Sequence, residues 1–331
     1  MKKIFFAAIA LVALASCAKE EFVSVNRQAI SFGEAFVDNA TRADYSVAGN
    51  LTEFYVYGTA SGTMQGGGTV NIFDGDKVTG TVGSNIVDGK ETHVWNCTET
   101  QYWIPGANYA FAAVVDATVE APASNNGMPT TLTTIADDAT TGNMYLKDML
   151  YAEATVDGDD VTVDYDTPVN FTFQHLLSKV HFTVTSTAQG DYSHKVTGIK
   201  VYNYAEGTYT INDGTWNGNG DPVAVTFADI AGVSSTNGTT GVSNADMLLV
   251  PTADTYNVTF TVELYKGTTK LGTETKTIPV EKDLVKGNAY NFTIACSVGN
   301  PIQFSVTNNP TWNSDIDGDG DVDVNDNVKI E

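Results

Sequence analysis

Apolar and polar residues alternate along much of the chain, which is the period-two pattern of a strand with one buried face. The clearest example runs from Tyr256 to Leu264, where every second residue is apolar. The same alternation occurs from Ala289 to Ala295 and from Val180 to Thr185. In the last of these, His181 falls on the face that the pattern predicts to be in water.

Turn residues separate these runs from further short apolar segments, as in antiparallel sheets. Only Met144 to Tyr151 and Lys282 to Lys286 resemble helices, and both are short. The pattern therefore predicts an all-β fold of two antiparallel β-sandwiches in tandem. Other predicted strands are Phe54 to Tyr57, Gln101 to Ile104, Tyr109 to Val115, Val169 to Phe173, Val196 to Tyr204, Val223 to Phe227 and Met247 to Pro251.

The domain boundary is predicted in the polar gap from Ser186 to Ser193. This gives an N-terminal sandwich at 43–188 and a C-terminal sandwich at 189–312, followed by an acidic tail at 313–331. A length of 331 residues agrees with two domains of ordinary size.

The N-terminus resembles a bacterial lipoprotein signal. Lys2 and Lys3 precede an apolar run from Ile4 to Leu14 that is too short to span a bilayer, and Cys17 follows almost at once. We expect residues 1–16 to be removed and Cys17 to be acylated, which would anchor the protein to the outer membrane with its bulk at the cell surface. The alternative is an ordinary cleaved secretory signal.

A pro-segment is predicted at 17–42. It contains the β-capable run Ala29 to Val37, with Ile30, Phe32 and Phe36 among its apolar residues. The chain has two arginines, Arg27 and Arg42, and none from Ala43 onward. An Arg-specific protease that cuts between Arg42 and Ala43 would therefore leave the rest intact, although low arginine content is also common in acidic β-proteins.

The charge excludes one class of partner. With 17 Lys+Arg against 40 Asp+Glu, the net charge is -23, and such a surface repels phosphate backbones, so we expect no nucleic-acid partner. Apart from Cys17, only Cys97 and Cys296 are present. Two cysteines are too few for a disulfide scaffold, and we expect buried free thiols.

The ordered set of these features resembles the fimbrillin family, which comprises pilin and adhesin lipoproteins of Bacteroidetes-type (type V) fimbriae. The likeness is carried by Cys17, Ala40-Thr41-Arg42-Ala43, the run from Phe171 to Val180, Leu248-Leu249-Val250-Pro251, the run from Leu284 to Tyr290, and Trp312 after the strand Ile302 to Val306. Together these features cover nearly all of the chain, although no single motif is specific.

The resemblance implies a structural protein with two transthyretin-like, Greek-key sandwiches. It also implies export as a lipoprotein, maturation after Arg42, and polymerisation with other pilin subunits by strand addition. In that process a donor strand fills the groove that Ile30 and Phe32 would leave. The alternative is a surface adhesin or glycan-binding lipoprotein that does not polymerise, because fold alone does not fix function.

The acidic tail has the spacing of a calcium loop. Asp315, Asp317, Asp319 and Asp326 match positions 1, 3, 5 and 12, while Asp321 at position 7 would offer its backbone carbonyl. This resembles the loop of dockerin-type repeats and predicts Ca²⁺ as a possible cofactor. A solvated acidic run is the alternative. Valine and isoleucine also alternate between Val322 and Ile330, so the tail is a candidate donor strand.

No catalytic motif is present. The four histidines form no zinc motif, and the chain has no nucleophile elbow, phosphate loop or dinucleotide fingerprint. We therefore expect no enzymatic activity and assign no catalytic residues.

Overall fold

The computed structural model describes residues 28–37, 51–62, 68–87, 90–137, 145–158, 168–234, 240–309 and 325–326. Strands dominate these residues and are numbered β1 to β24 in chain order. The one helical element of the described part is a 3₁₀ turn at Ala123–Asn125. The predicted all-β class is confirmed, and no described residues form an apolar helix long enough to cross a bilayer.

The first sheet has seven strands. Their order across the sheet is β1 (Phe32–Val37), β11 (Val169–His175), β10 (Leu150–Val156), β5 (Ala107–Val115), β2 (Glu53–Gly62), β3 (Thr69–Val87) and β4 (Lys90–Cys97).

This sheet curls around its own core. Its two edge strands, β1 and β4, come into contact, so the sheet nearly closes on itself. Alternate residues of its strands point inward, as in β11, where Val169, Phe171 and Phe173 are buried. The resulting core is rich in phenylalanine and tryptophan.

Two further sheets build the second half of the chain. One has the order β18 (Thr240–Ser243), β12 (Ser178–Ser186), β22 (Ala289–Cys296), β23 (Gln303–Asn309) and β24 (Asn325–Asp326), with β19 (Met247–Leu249) also paired to β12. The other has the order β16 (Val223–Thr226), β13 (Tyr192–Asn203), β20 (Tyr256–Lys266) and β21 (Thr269–Val280), with β17 (Ile230–Val233) also paired to β13. Phe182, Phe260, Phe292 and Phe304 share a single core between these two sheets.

The predicted antiparallel pairing holds with two exceptions. β1 runs parallel to β11, and β12 runs parallel to β22. Segment 144–151, which resembles a helix in sequence, contributes instead to β10 and to β9 (Tyr145–Leu146), the partner of β8 (Ala136–Asp137).

A four-stranded sheet connects the two halves. Its order is β15 (Thr215–Asn219), β14 (Glu206–Thr210), β7 (Thr131–Thr134) and β6 (Ala117–Glu120), so two strands come from each half of the sequence. Beneath it lies a small core that also draws on both halves. Its buried members are Val114, Leu132, Leu146, Met149, Leu176, Leu177, Tyr209 and Val250.

β12 pairs with strands of the second half, although the domain prediction of 43–188 and 189–312 assigns it to the first. The chain therefore changes sheets between β11 and β12, before the polar gap at 186–193. Within β12, the prediction for His181 is wrong. Its side chain is buried, and Nδ1 lies 2.9 Å from Oδ1 of Asp246, because a histidine with a carboxylate partner can leave water.

Candidate functional site

Most of the site residues predicted from sequence lie outside the described residues. This applies to Cys17, Arg42 and Ala43. It applies also to Asp315, Asp317, Asp319 and Asp321 of the calcium prediction. The fifth residue of that prediction, Asp326, is described: it lies in β24 and pairs through its backbone with Val306 of β23. In the part of the chain that the structure describes, no group of His, Cys, Asp and Glu side chains could hold a metal.

The predicted pro-segment strand is described at residues 28–37, and it lies between β11 and the segment 101–103, which follows β4. On one side, the N–H of Ile30 donates to the carbonyl of Gln101 at 2.8 Å, and the N–H of Trp103 donates to the carbonyl of Gln28 at 3.0 Å. On the other side, the N–H of Val169 donates to the carbonyl of Ser31 at 2.8 Å. The strand is thus bonded to both walls of a groove, which we call the β1 groove.

The two walls run in opposite directions relative to the strand between them. Ala29 forms an antiparallel bridge with Tyr102, whereas β1 pairs with β11 in parallel, from Phe32 opposite Val169 to Val37 opposite Phe173. A one-residue bulge between Phe32 and Ala35 interrupts the parallel register. Residues 28–30 therefore pair with the segment 101–103, and residues 31–37 pair with β11.

Two side chains of the strand enter the core. Ile30 and Phe32 are each 6% exposed. The ring of Phe32 lies 5.6 Å from Phe73, 5.9 Å from Phe171 and 6.0 Å from Phe54, measured between centroids. These distances are within the range of favourable aromatic pairs. Residues 28–37 therefore complete the hydrophobic core of the first half.

Gly33 marks the tightest point of the groove. A Cβ at this position would lie 3.0 Å from Cβ of Pro168 and would overlap Oδ1 of Asn170. The side chain of Asn170 can turn away into solvent, but the proline ring is fixed. The groove therefore accepts glycine here more readily than any residue with a side chain.

Removing this strand would expose two kinds of unsatisfied surface. The backbone groups of β11 and of residues 101–103 would lose their partners, and the Phe54, Phe73 and Phe171 rings would lose their apolar cover. Both deficits are met by another extended segment, which is the chemistry of strand addition.

Sequence reasoning identified the strand and its buried residues but missed one wall. Gln101 to Ile104 is predicted as an ordinary strand, whereas the structure has a single bridge there, made to the pro-segment. The available signal was Pro105-Gly106 directly after Ile104, a turn pair that leaves little room for a strand.

Both remaining cysteines are free. Cys296 is buried, as predicted, and its burial raises the pKa of the thiol to about 12. Cys97, at the end of β4, is only partly buried, and burial raises its pKa as well. Both thiols therefore stay protonated at neutral pH and are weak nucleophiles.

Comparison with known proteins agrees with this architecture. A family model described as "Fimbrillin-like" matches residues 41–311. No curated protein matches the chain significantly.

Among solved structures, a candidate cell adhesion protein from Bacteroides uniformis superposes with a TM-score of 0.52 at 18% identity, covering 86% of this chain and 97% of that one. A fimbrial assembly protein from Parabacteroides distasonis gives a TM-score of 0.43 at 15% identity, covering 85% and 96%. The fimbrial anchor protein Mfa2 from Porphyromonas gingivalis gives 0.33 at 13% identity, covering 86% and 98%. At these identities the first likeness supports the fold alone.

Proposed function

Because the chain belongs to the fimbrillin-like family, we propose that it is a structural subunit of a surface fimbria that is matured by proteolysis and assembled by strand addition. In this proposal, the protein acts through contacts between chains and adhesion, with no catalysis. In the same proposal, the two halves are the transthyretin-like sandwiches that the family resemblance implies.

The observation that carries the proposal is the position of residues 28–37. They precede the family match at 41–311, yet they include the edge strand β1 and are hydrogen-bonded both to β11 and to residues 101–103. A segment that lies outside the matched region and completes its core could be removed and replaced by a strand of another chain. Its removal would open a groove lined by unpaired backbone and aromatic rings.

Maturation would involve two covalent changes. We propose acylation at Cys17, which would hold the precursor at the outer membrane, and cleavage between Arg42 and Ala43, which would cut the pro-segment strand from the body. Residues from Ala43 onward contain no arginine, so the same protease would spare the mature protein. A donor strand from another subunit would then occupy the β1 groove.

The test is to treat the purified precursor with an Arg-specific protease and follow it by mass spectrometry and negative-stain microscopy. We expect a cut after Arg42, followed, once a subunit that supplies a donor strand is added, by fibres or by ladders that resist mild heating in detergent. The matched controls are Arg42→Gln, which should block cleavage between residues 42 and 43 and with it assembly, and Arg27→Gln, which should block neither.

The opposite result would change the assignment. Efficient cleavage after Arg42 with no ladders, either alone or in mixtures with other fimbrial subunits, would contradict polymerisation. It would favour the second candidate function, a surface adhesin or glycan-binding lipoprotein that stays monomeric.

The Asp spacing at 315–326 favours a calcium-dependent form of either function. We propose that Ca²⁺ binds this loop through Asp315, Asp317, Asp319 and Asp326, with the carbonyl of Asp321. Titration calorimetry on the processed protein should show binding heat that Asp315→Asn with Asp319→Asn abolishes. No heat at millimolar Ca²⁺ would overturn this part of the proposal.

A further inference from the structure

The β1 groove has a fixed chemical preference that follows from its walls. Phe54, Phe73 and Phe171 are each 1% exposed, and they surround the ring of Phe32 on three sides. Such a site is shaped for a flat, six-membered ring, since aliphatic side chains would leave part of the three rings without contact.

Spacing adds a second condition. Ile30 lies two residues before Phe32, and both side chains point into the same core. Because side chains on one face of a strand recur every second residue, an occupant needs a large aliphatic residue and an aromatic residue at this spacing. The tight point beside Pro168 then requires a residue without a side chain after the aromatic.

The tail at 313–331 does not meet these conditions. Its alternating residues are Val322, Val324, Val328 and Ile330, and the segment contains no phenylalanine, tyrosine or tryptophan. A valine in the aromatic site would leave a cavity beside the three phenylalanine rings, and cavities in a packed core are costly.

From these observations we infer that the β1 groove selects a donor strand with the pattern large aliphatic, any residue, aromatic, glycine. The occupant is a segment of a different subunit that carries this pattern, rather than the segment 313–331 of a second copy. This inference rests on the proposed strand addition and adds the identity of the donor to it. The groove would thereby set the order of subunits in the fimbria, because a subunit that prefers the donor strand of a different protein assembles poorly with a second copy of itself.

A peptide competition experiment tests this preference. The full precursor is cut at Arg42, or at an engineered protease site within 38–43 if Arg42 resists cutting. A fluorescent peptide with the sequence of residues 28–37 is exchanged into the groove and monitored by anisotropy. Unlabelled competitors are then the same peptide, its variants, and a peptide of residues 320–331.

The expected ranking is specific. The Phe32→Ala peptide should compete on the order of a hundredfold more weakly than the unchanged peptide, and the Gly33→Val peptide roughly tenfold more weakly. The Ser31→Ala peptide is the matched control and should compete equally, since Ser31 contributes its backbone carbonyl and its side chain is exposed. The 320–331 peptide should fail to compete at a hundredfold excess.

Two outcomes would overturn the inference. One is competition by the 320–331 peptide as strong as that of the 28–37 peptide, which would make a second copy the donor. The other is equal competition by the Phe32→Ala peptide, which would show that the aromatic site confers no selectivity. Ladder formation by the cleaved protein is scored separately. A missing ladder in mixtures with other fimbrial subunits contradicts the proposed polymerisation, while the ranking of peptides still decides the groove's preference.

Discussion

The ring of Phe32 stacks on the ring of Phe171, with centroids 5.9 Å apart and planes inclined by 23°. The first residue belongs to β1, within the predicted pro-segment, and the second to β11. A segment proposed for removal is thus part of the core of the precursor, so its side chains must contribute to the stability of the precursor.

Truncation of this ring should destabilise the precursor strongly. We expect Phe32→Ala to lower the free energy of unfolding by about 3–5 kcal/mol, because the change removes a buried ring and leaves a cavity among Phe54, Phe73 and Phe171. Urea unfolding monitored by tryptophan fluorescence measures it. The control Ser31→Ala keeps the backbone bond to Val169 and should change stability by less than about 0.5 kcal/mol. Equal stability of the two variants would show that the groove does not depend on this strand.

A buried amide joins β13 to the segment that follows β19. The side chain of Asn203, 1% exposed, donates from Nδ2 to the carbonyl of Val250 at 3.0 Å, and its Oδ1 accepts from the N–H of Val250 at 3.0 Å. Asn203→Ala should cost on the order of 2–4 kcal/mol, because two buried backbone groups lose their partners. Thermal unfolding measures this loss.

Two comparisons make the Asn203 prediction specific. Asn217→Ala removes an exposed amide of β15 and should be nearly neutral. Asn203→Asp retains an acceptor but loses the donor, so its deficit relative to the wild type should shrink at acidic pH, where the carboxyl group is protonated and can donate. A deficit that is independent of pH would contradict the two-bond role of Asn203.

The shared sheet predicts that the two halves unfold together. Leu132 is fully buried in β7 and packs in the same core as Tyr209 and Val250 of the second half. Leu132→Ala should lower stability by about 2–5 kcal/mol and reduce amide protection in both halves when hydrogen exchange is followed by mass spectrometry. Leu271→Ala, at a side chain that is 52% exposed, is the control. Loss of protection confined to the first half would show that the halves are independent.

The sequence predicted those features that depend on local periodicity. Alternation identified β20, β22 and the buried face of β11, and it placed Ile30 and Phe32 of the pro-segment on an inward face. The identity of the neighbouring strands was not accessible in this way, because period-two alternation fixes a face and not a partner. This is why the parallel pairs β1–β11 and β12–β22 and the shared sheet were not foreseen.

The polar residues of β12 illustrate the same limit. His181 occupies a position that alternation assigns to water, yet the loop before β19 brings Asp246 within 2.9 Å of it. Burial raises the pKa of Asp246, but the bonds and charges from His181 and Lys179 outweigh this effect, and the net pKa is lowered. A contact between residues that are distant in sequence, and not a local pattern, decides the burial of this histidine.

A second buried histidine makes the stability of the second half depend on pH near neutrality. Nδ1 of His194 lies 2.8 Å from Oγ of Ser186, and burial lowers the pKa of His194 from its ordinary value of 6.5. The unfolded chain therefore binds a proton at a higher pH than the folded chain does. Stability should be fully present above about pH 6.5 and should fall as the pH decreases through that value, until the folded histidine is also protonated.

Chemical denaturation between pH 8 and pH 5 measures this effect, with a slope of at most about 1.4 kcal/mol per pH unit from this one group. His194→Gln cannot gain a charge, so its free energy of unfolding should vary less with pH across the same window, even if the variant is less stable overall. Asp246 does not interfere, since its lowered pKa places its titration below its ordinary value of 3.8. An identical pH dependence of the wild type and His194→Gln would show that His194 is not the group that titrates.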